Sequence, residues 1–138
     1  MEKARILLVD DEEDFAKNMK KLLENRGHAV TTLNSGDGAV AAIAGGGQYD
    51  VMVLDLKMPG MDGMATLREM KKQNLGIQTL VLTGHGDIGT ALEAMKLGAY
   101  DYLTKPCEID ELEEKLEELW KKSNGKKPSM LGKLLNKK

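Results

Sequence analysis

Five short apolar runs alternate with five segments of helical periodicity, and this alternation constrains the fold more than any other feature of the chain. Arg5–Val9, Ala29–Leu33, Val51–Leu54, Thr79–Leu82 and Tyr100–Leu103 each read as a strand. The first stops abruptly at Asp10-Asp11 and the third is closed by Asp55, as buried strands stop at the edge of a parallel sheet. From Glu12 onward Phe15, Met19, Leu22 and Leu23 keep helical spacing, acids crowd the first turn, and Gly27 stands where the helix would end. A short helix is predicted over 38–44, with Gly45, Gly46 and Gly47 supplying the following loop. Asp62 can cap a third helix reaching about Lys72. Asp87 can cap a fourth, carrying Ile88, Ala91, Leu92 and Met95 and ending at Gly98, and Ile109, Leu112, Leu116 and Leu119 share one face of a fifth.

Parallel strands require a crossover to return the chain, and here each crossover is a helix. The pattern therefore predicts an α/β fold, a doubly wound five-stranded parallel sheet covered on both faces. For a domain of this size the common arrangement is the flavodoxin-like strand order 2-1-3-4-5, with ligands bound outside the strand C-termini between strands one and three. That order gathers Asp10 and Asp11, Asp55, Thr83 and Lys105 at one edge of the sheet, since each follows or ends a strand. Three carboxylates held close together repel one another, and a hard cation that takes oxygen ligands relieves the repulsion. Mg2+ is the expected cofactor. A carboxylate can also attack a phosphoryl group when metal and cationic groups neutralise the transferring oxygens. Asp55 is the central candidate for that nucleophile, with Asp10 and Asp11 on the metal, Lys105 as a point charge on a phosphoryl oxygen, and the Thr83 hydroxyl as a donor to another.

Composition narrows the function classes. With 138 residues, 41% hydrophobic and 30% charged, the chain has the make-up of one ordinary globular domain. No apolar run approaches the ~20 residues of a membrane span and no signal-peptide pattern opens the chain, so a cytoplasmic protein without membrane insertion is expected. The lone cysteine, Cys107, has no partner for a disulfide or a zinc site and reads as a small side chain. All 22 Asp and Glu precede residue 121, and seven of the 20 Lys and Arg follow residue 120. The acidic body argues against direct nucleic-acid binding and suits cation binding or a basic partner surface. Residues 1–120 are expected to form the domain and residues 121–138 a basic tail. That tail is read either as flexible or as an amphipathic segment, carrying Met130, Leu131, Leu134 and Leu135, that meets an acidic partner or an anionic membrane.

Five separated blocks carry a resemblance: Val9-Asp10-Asp11-Glu12, Leu54-Asp55 through Asp62-Gly63, Leu82-Thr83-Gly84-His85, Gly98-Ala99-Tyr100-Asp101-Tyr102, and Thr104-Lys105-Pro106. Over roughly residues 4–120 the chain resembles a bacterial two-component response-regulator receiver domain, most of all the receivers of enhancer-binding transcription activators. The resemblance implies a signalling switch rather than a turnover enzyme, one that catalyses its own phosphorylation and autodephosphorylation. A sensor histidine kinase would supply the phosphoryl group to Asp55. Asp11, Asp55 and the backbone carbonyl of Lys57 would touch the metal, with Asp10 acting through water. Thr83 and the aromatic Tyr102 would relay the change to the surface of the fourth helix, fifth strand and fifth helix, which serves a downstream effector or an output domain absent from this chain. A homodimer through that surface is left open. The resemblance also implies a cis bond at Lys105-Pro106. It departs from the family pattern at Cys107, where an aromatic residue is frequent.

Each site residue has a plainer explanation when taken singly. Asp10 and Asp11 could cap the first helix, Asp55 could be a loop-entry acid, Thr83 a surface hydroxyl, Lys105 a solvated lysine, and Tyr102 a filler. Met58, Met61 and Met64 read as filler, because thioethers do not suit magnesium. His28, beside a turn, is expected to be solvated. His85 and Lys57, two residues beyond Thr83 and Asp55, are expected at the mouth of the site, where they would control water access. Nucleotide binding is disfavoured because the acidic turn after strand one would repel phosphate. A phosphatase would need a proton donor near the nucleophile and segments enclosing the substrate. A phosphate-independent binding module with a degenerate site is the remaining alternative.

Overall fold

The computed structural model of the chain describes residues 3–58, 60, 62–84 and 87–124. Its elements keep the alternation: β1 (Arg5–Val9), α1 (Glu13–Asn25), β2 (Ala29–Leu33), α2 (Gly36–Ala44), β3 (Val51–Asp55), α3 (Gly63–Lys72), β4 (Gln78–Thr83), α4 (Ile88–Lys96), β5 (Asp101–Thr104) and α5 (Ile109–Asn124). All neighbouring strands are parallel and the order is β2-β1-β3-β4-β5, the doubly wound arrangement expected from the sequence. The first four residues of the basic stretch, 121–124, belong to α5; the rest of it lies outside the described residues.

Side chains of a strand alternate between its two faces, and the two cores separate on that period. Ile6, Leu8, Val53, Leu80 and Leu82 join Ala16, Met19 and Leu23 of α1 and Leu112, Leu116 and Leu119 of α5. Leu7, Val9, Met52, Leu54 and Val81 turn the other way, toward Ala39 and Val40 of α2, Met64, Leu67 and Met70 of α3, and Ala94 of α4. Met58 and Met64 are buried there, while Met61 lies outside the described residues. At roughly 25 cal/mol per Å² of buried apolar surface, these two layers are the main favourable term in folding.

Helices α1 to α4 end alike. The amide after each C-cap donates to the carbonyl two residues before that cap, and the next amide reaches one carbonyl further back. At α1 this gives Gly27 N–H to Glu24 and His28 N–H to Leu23, and at α4 Gly98 N–H to Met95 and Ala99 N–H to Ala94. The residue after the cap has positive φ at all four ends, and at α3 it is Asn74 (φ 60°), which the sequence reading did not single out.

Two expectations about helices need correction. The second helix begins at Gly36 rather than Gly38, because the Ser35 hydroxyl accepts the Gly38 N–H and caps it earlier. Asp87 stands at the N-cap of α4 but its side chain caps nothing; its Oδ2 lies 3.8 Å from Lys57 Nζ instead. Along α4 the buried residues are Ala91 and Ala94, while Ile88, Leu92 and Met95 are 45%, 53% and 36% exposed. Asp62, by contrast, caps α3 as expected, its Oδ1 accepting the Ala65 N–H at 2.9 Å.

His28 is buried, contrary to the solvated position expected for it. The Schellman turn at Gly27 carries the ring inward, where Nδ1 accepts the Ala4 N–H (3.1 Å) and Nε2 lies 3.0 Å from Glu113 Oε2 on α5. Arg26 also holds Glu113 and Asp110, so the end of α1 is tied to α5 by a small polar cluster. Burial works the other way, but Arg26 and His28 together keep the Glu113 carboxyl below its usual range.

Candidate functional site

The register of the sheet brings the candidate residues together. Val9 pairs with Leu54, so Asp10 leaves β1 beside Asp55 at the end of β3. Asp55 pairs with Leu82, which places Thr83 one position further along β4, and Thr83 pairs with Thr104, the residue before Lys105. The Lys105 N–H donates to the Thr83 carbonyl at 2.7 Å, and the Leu56 N–H to the Leu82 carbonyl at 3.0 Å. All these residues leave the sheet at one edge. The Lys105–Pro106 bond is cis, as the resemblance implied.

Carboxylate oxygens of Asp10, Asp11 and Asp55 lie within 4.8 Å of one another. That spacing and an all-oxygen donor set fit a hard divalent cation. Asp10 and Asp55 are buried and Asp11 is half-exposed. Asp10 also does what the plainer explanation proposed, since its Oδ1 accepts the Glu12 N–H at 2.9 Å at the start of α1. Asp55 Oδ1 accepts the Lys57 N–H at 3.1 Å.

Burial is the largest influence on Asp55 and raises its carboxyl to about 6. The nearby Asp10 charge adds to the rise, while the Lys57 N–H and the Lys105 charge oppose it. Lys105 is the counter-charge, with its side chain 15% exposed. Its Nζ hydrogen-bonds to Glu12 Oε1, lies 3.0 Å from Asp10 Oδ2 and 3.6 Å from Asp55 Oδ2, and sits 4.4 Å above the centre of the Phe15 ring. Burial pulls the Lys105 pKa down, but its bonds to Glu12 and Asp10 outweigh this and leave it above its ordinary value.

Thr83 Oγ1 is buried with no hydrogen-bond partner, the one such side-chain atom among the described residues. A buried hydroxyl without a partner costs roughly 1–3 kcal/mol, and an acceptor arriving at the sheet edge would relieve it. Tyr102 is half-buried and packs against the α2–α4 side of the sheet. Lys57 is exposed on the loop after β3, and His85 lies outside the described residues. Cys107 is half-buried against the α1–α5 core, and burial raises its thiol pKa.

Three residues escaped the sequence reading. Glu12 and Phe15 both contact Lys105, and no spacing pattern signals a contact between positions so far apart in the chain. Gly63 is the third: a Cβ there would stand 2.5 Å from Leu56 Cα and 2.6 Å from the Asp55 carbonyl oxygen. Only glycine lets α3 start this close to the end of β3, and the Asp62-Gly63 pair was the available signal.

Residues 6–117 match the family model described as the response regulator receiver domain. The chain belongs to this family, and it is a receiver domain of the two-component response-regulator kind. It is 39% identical over 110 residues to the transcriptional regulatory protein FixJ of Bradyrhizobium diazoefficiens, covering 80% of this chain and 53% of that protein. It is 40% identical over 115 residues to ZraR of Salmonella typhimurium, covering 83% of this chain and 26% of that protein. Among solved structures, FixJ-N superposes with a TM-score of 0.81 at 36% identity, covering 88% of this chain and 96% of that one. A Francisella response-regulator receiver domain gives 0.81 at 32% identity, covering 88% and 100%. The chain thus spans about half the length of FixJ and about a quarter of ZraR. No helix among the described residues is long and apolar enough to cross a membrane.

Proposed function

We propose that this receiver takes a phosphoryl group onto Asp55 from the phosphohistidine of a sensor histidine kinase. The observation that carries this reading is one sheet edge holding three clustered carboxylates, a half-buried lysine 3.6 Å from Asp55, and a buried threonine hydroxyl without a partner. An Asp55 oxygen forms the new O–P bond as the donor's N–P bond breaks, and the imidazole leaves with the electron pair. Asp55 must be ionised to attack, which its pKa of about 6 allows at neutral pH. Lys105 balances charge on a phosphoryl oxygen, and the Thr83 hydroxyl donates to another, gaining the partner it lacks.

Asp11, Asp55 and the Lys57 carbonyl would hold Mg2+ directly, with Asp10 behind a water. When bound, the metal supplies positive charge that offsets both the carboxylate repulsion and the charge on the phosphoryl oxygens. Movement of Thr83 toward the phosphoryl group would open space into which Tyr102 turns, and the α4, β5 and α5 surface would change with it. The exposed Ile88, Leu92 and Met95 on α4 suit that surface to a partner, whether an effector protein, an output domain or a second receiver. Lys57, and His85 outside the described residues, would regulate water access and so the lifetime of the phosphorylated state. In this reading residues 1–120 are the receiver, 121–138 are a basic extension, and the protein works in the cytoplasm.

Intact-protein mass after incubation with acetyl phosphate and Mg2+ tests the proposal. One phosphoryl adduct is expected on the wild type, and none on Asp55→Asn or in a metal-free sample. An adduct that survives in Asp55→Asn would assign the chemistry elsewhere. No adduct on the wild type would favour a phosphate-independent binding module.

A further inference from the structure

We propose that Glu12 is a positioning residue that holds the Lys105 ammonium on the α1 side of the cleft, in competition with the phosphoryl group on Asp55. This inference rests on the phosphoacceptor reading of Asp55 and deepens it. Glu12 occupies the N-cap position of α1, yet its side chain caps no amide. The oxygen that serves the start of the helix comes from Asp10, which accepts the Glu12 N–H. The Glu12 carboxylate is therefore free to reach out, and it pairs with Lys105. Phe15, one turn further along α1, lies beneath the same ammonium at 4.4 Å from the ring centre. Together the two residues form a seat on α1.

Lys105 is not centred on Asp55. Its contact with Asp10 is 3.0 Å and its separation from Asp55 is 3.6 Å, beyond hydrogen-bond distance. A phosphoryl oxygen carried by Asp55 must draw the ammonium across the cleft, and the Glu12 pair resists that movement. Glu12 thereby sets how strongly Lys105 is available to the phosphorylated state. Because the Glu12 side chain is 62% exposed, its hold is that of a surface ion pair, modest and screened by salt.

The probe is beryllofluoride with saturating Mg2+, a phosphoryl mimic that needs no donor, titrated into the full chain by calorimetry. Glu12→Gln is expected to bind it about two- to five-fold more tightly at low salt, the range for losing an exposed pair, with the gain shrinking at high salt. Glu12→Ala is expected to change in the same direction. Glu13→Gln is the control for general charge, since Glu13 is the next residue but lines the groove toward β2 with Lys17 and Lys20; it should bind as the wild type does. Loss of an acid from the N-terminal end of α1 should not raise the melting temperature of Glu12→Gln, so tighter binding would not reflect a stiffer fold. Equal or weaker binding by Glu12→Gln, or an equal gain in Glu13→Gln, would overturn the role of Glu12. Failure of the wild type to bind beryllofluoride would instead overturn the phosphoacceptor reading itself.

Discussion

Replacing Asp55 with Asn should stabilise the metal-free protein, and the gain should depend on pH. Asp55 is buried beside Asp10, and its carboxyl stands at about 6 in the folded chain against an ordinary value of 3.8. An acid whose folded pKa is raised destabilises the folded state once it ionises. Below the unfolded value both states are protonated at this site and nothing is lost. Between 3.8 and about 6 the unfolded chain ionises first and stability falls as pH rises; above about 6 the full penalty is present. The difference corresponds to about 3 kcal/mol at most, since one pH unit is worth about 1.4 kcal/mol. Adjustment of the neighbouring charges will reduce it, so a gain of about 1–3 kcal/mol is expected for Asp55→Asn near pH 7.5. Asn retains an oxygen to accept the Lys57 N–H, and Lys105 keeps its contacts with Asp10 and Glu12. Urea unfolding in EDTA would read this as a midpoint raised by about 0.5–1.5 M, at a slope of about 2 kcal/mol per M. The gap should close toward pH 4, and Mg2+ should narrow it near pH 7.5 by stabilising the wild type preferentially. A wild type as stable as Asp55→Asn near pH 7.5 in EDTA, or a gap that does not change with pH, would refute the reasoning.

Three other substitutions probe separate parts of the structure. Lys105→Gln should slow labelling by acetyl phosphate about 10- to 100-fold, the effect of losing a charge-assisted contact, as read from initial rates by intact mass. Gly63→Ala should cost about 1–3 kcal/mol in urea unfolding, because its Cβ meets the backbone of Leu56 and Asp55, a clash that movement of the Leu56 side chain alone does not relieve. His28→Leu should cost about 2–4 kcal/mol by the same measurement, since it strands the Ala4 N–H and removes a bond to Glu113.

The fold was legible because strand and helix periods alternate without ambiguity and because parallel connections allow few topologies. The candidate site followed from the fold. Asp10, Asp55, Thr83 and Lys105 are plain residues one by one, and only the convergence of strand ends makes them a constellation. What stayed hidden is what periodicity does not encode. Spacing shows that Ile88, Leu92 and Met95 share a side of α4, but not that this side stays exposed while the alanines Ala91 and Ala94 are buried. His28 looked like a turn residue because its partners, Ala4 and Glu113, are remote in sequence. The pairing of Glu12 with Lys105 joins positions 93 residues apart, and nothing local announces it. Ser35 carried a readable signal, a hydroxyl just before the apolar positions of α2, but the helix predicted from Gly38 passed over it.

The assignment of Asp55 as phosphoacceptor is tested most directly by borohydride trapping. The chain would be phosphorylated with acetyl phosphate and Mg2+, reduced so that an acyl phosphate becomes an alcohol, digested, and sequenced by mass spectrometry. Homoserine at position 55 and at no other aspartate is the expected result. Homoserine at Asp10 or Asp11, or a phosphoryl adduct that resists reduction, would contradict the assignment.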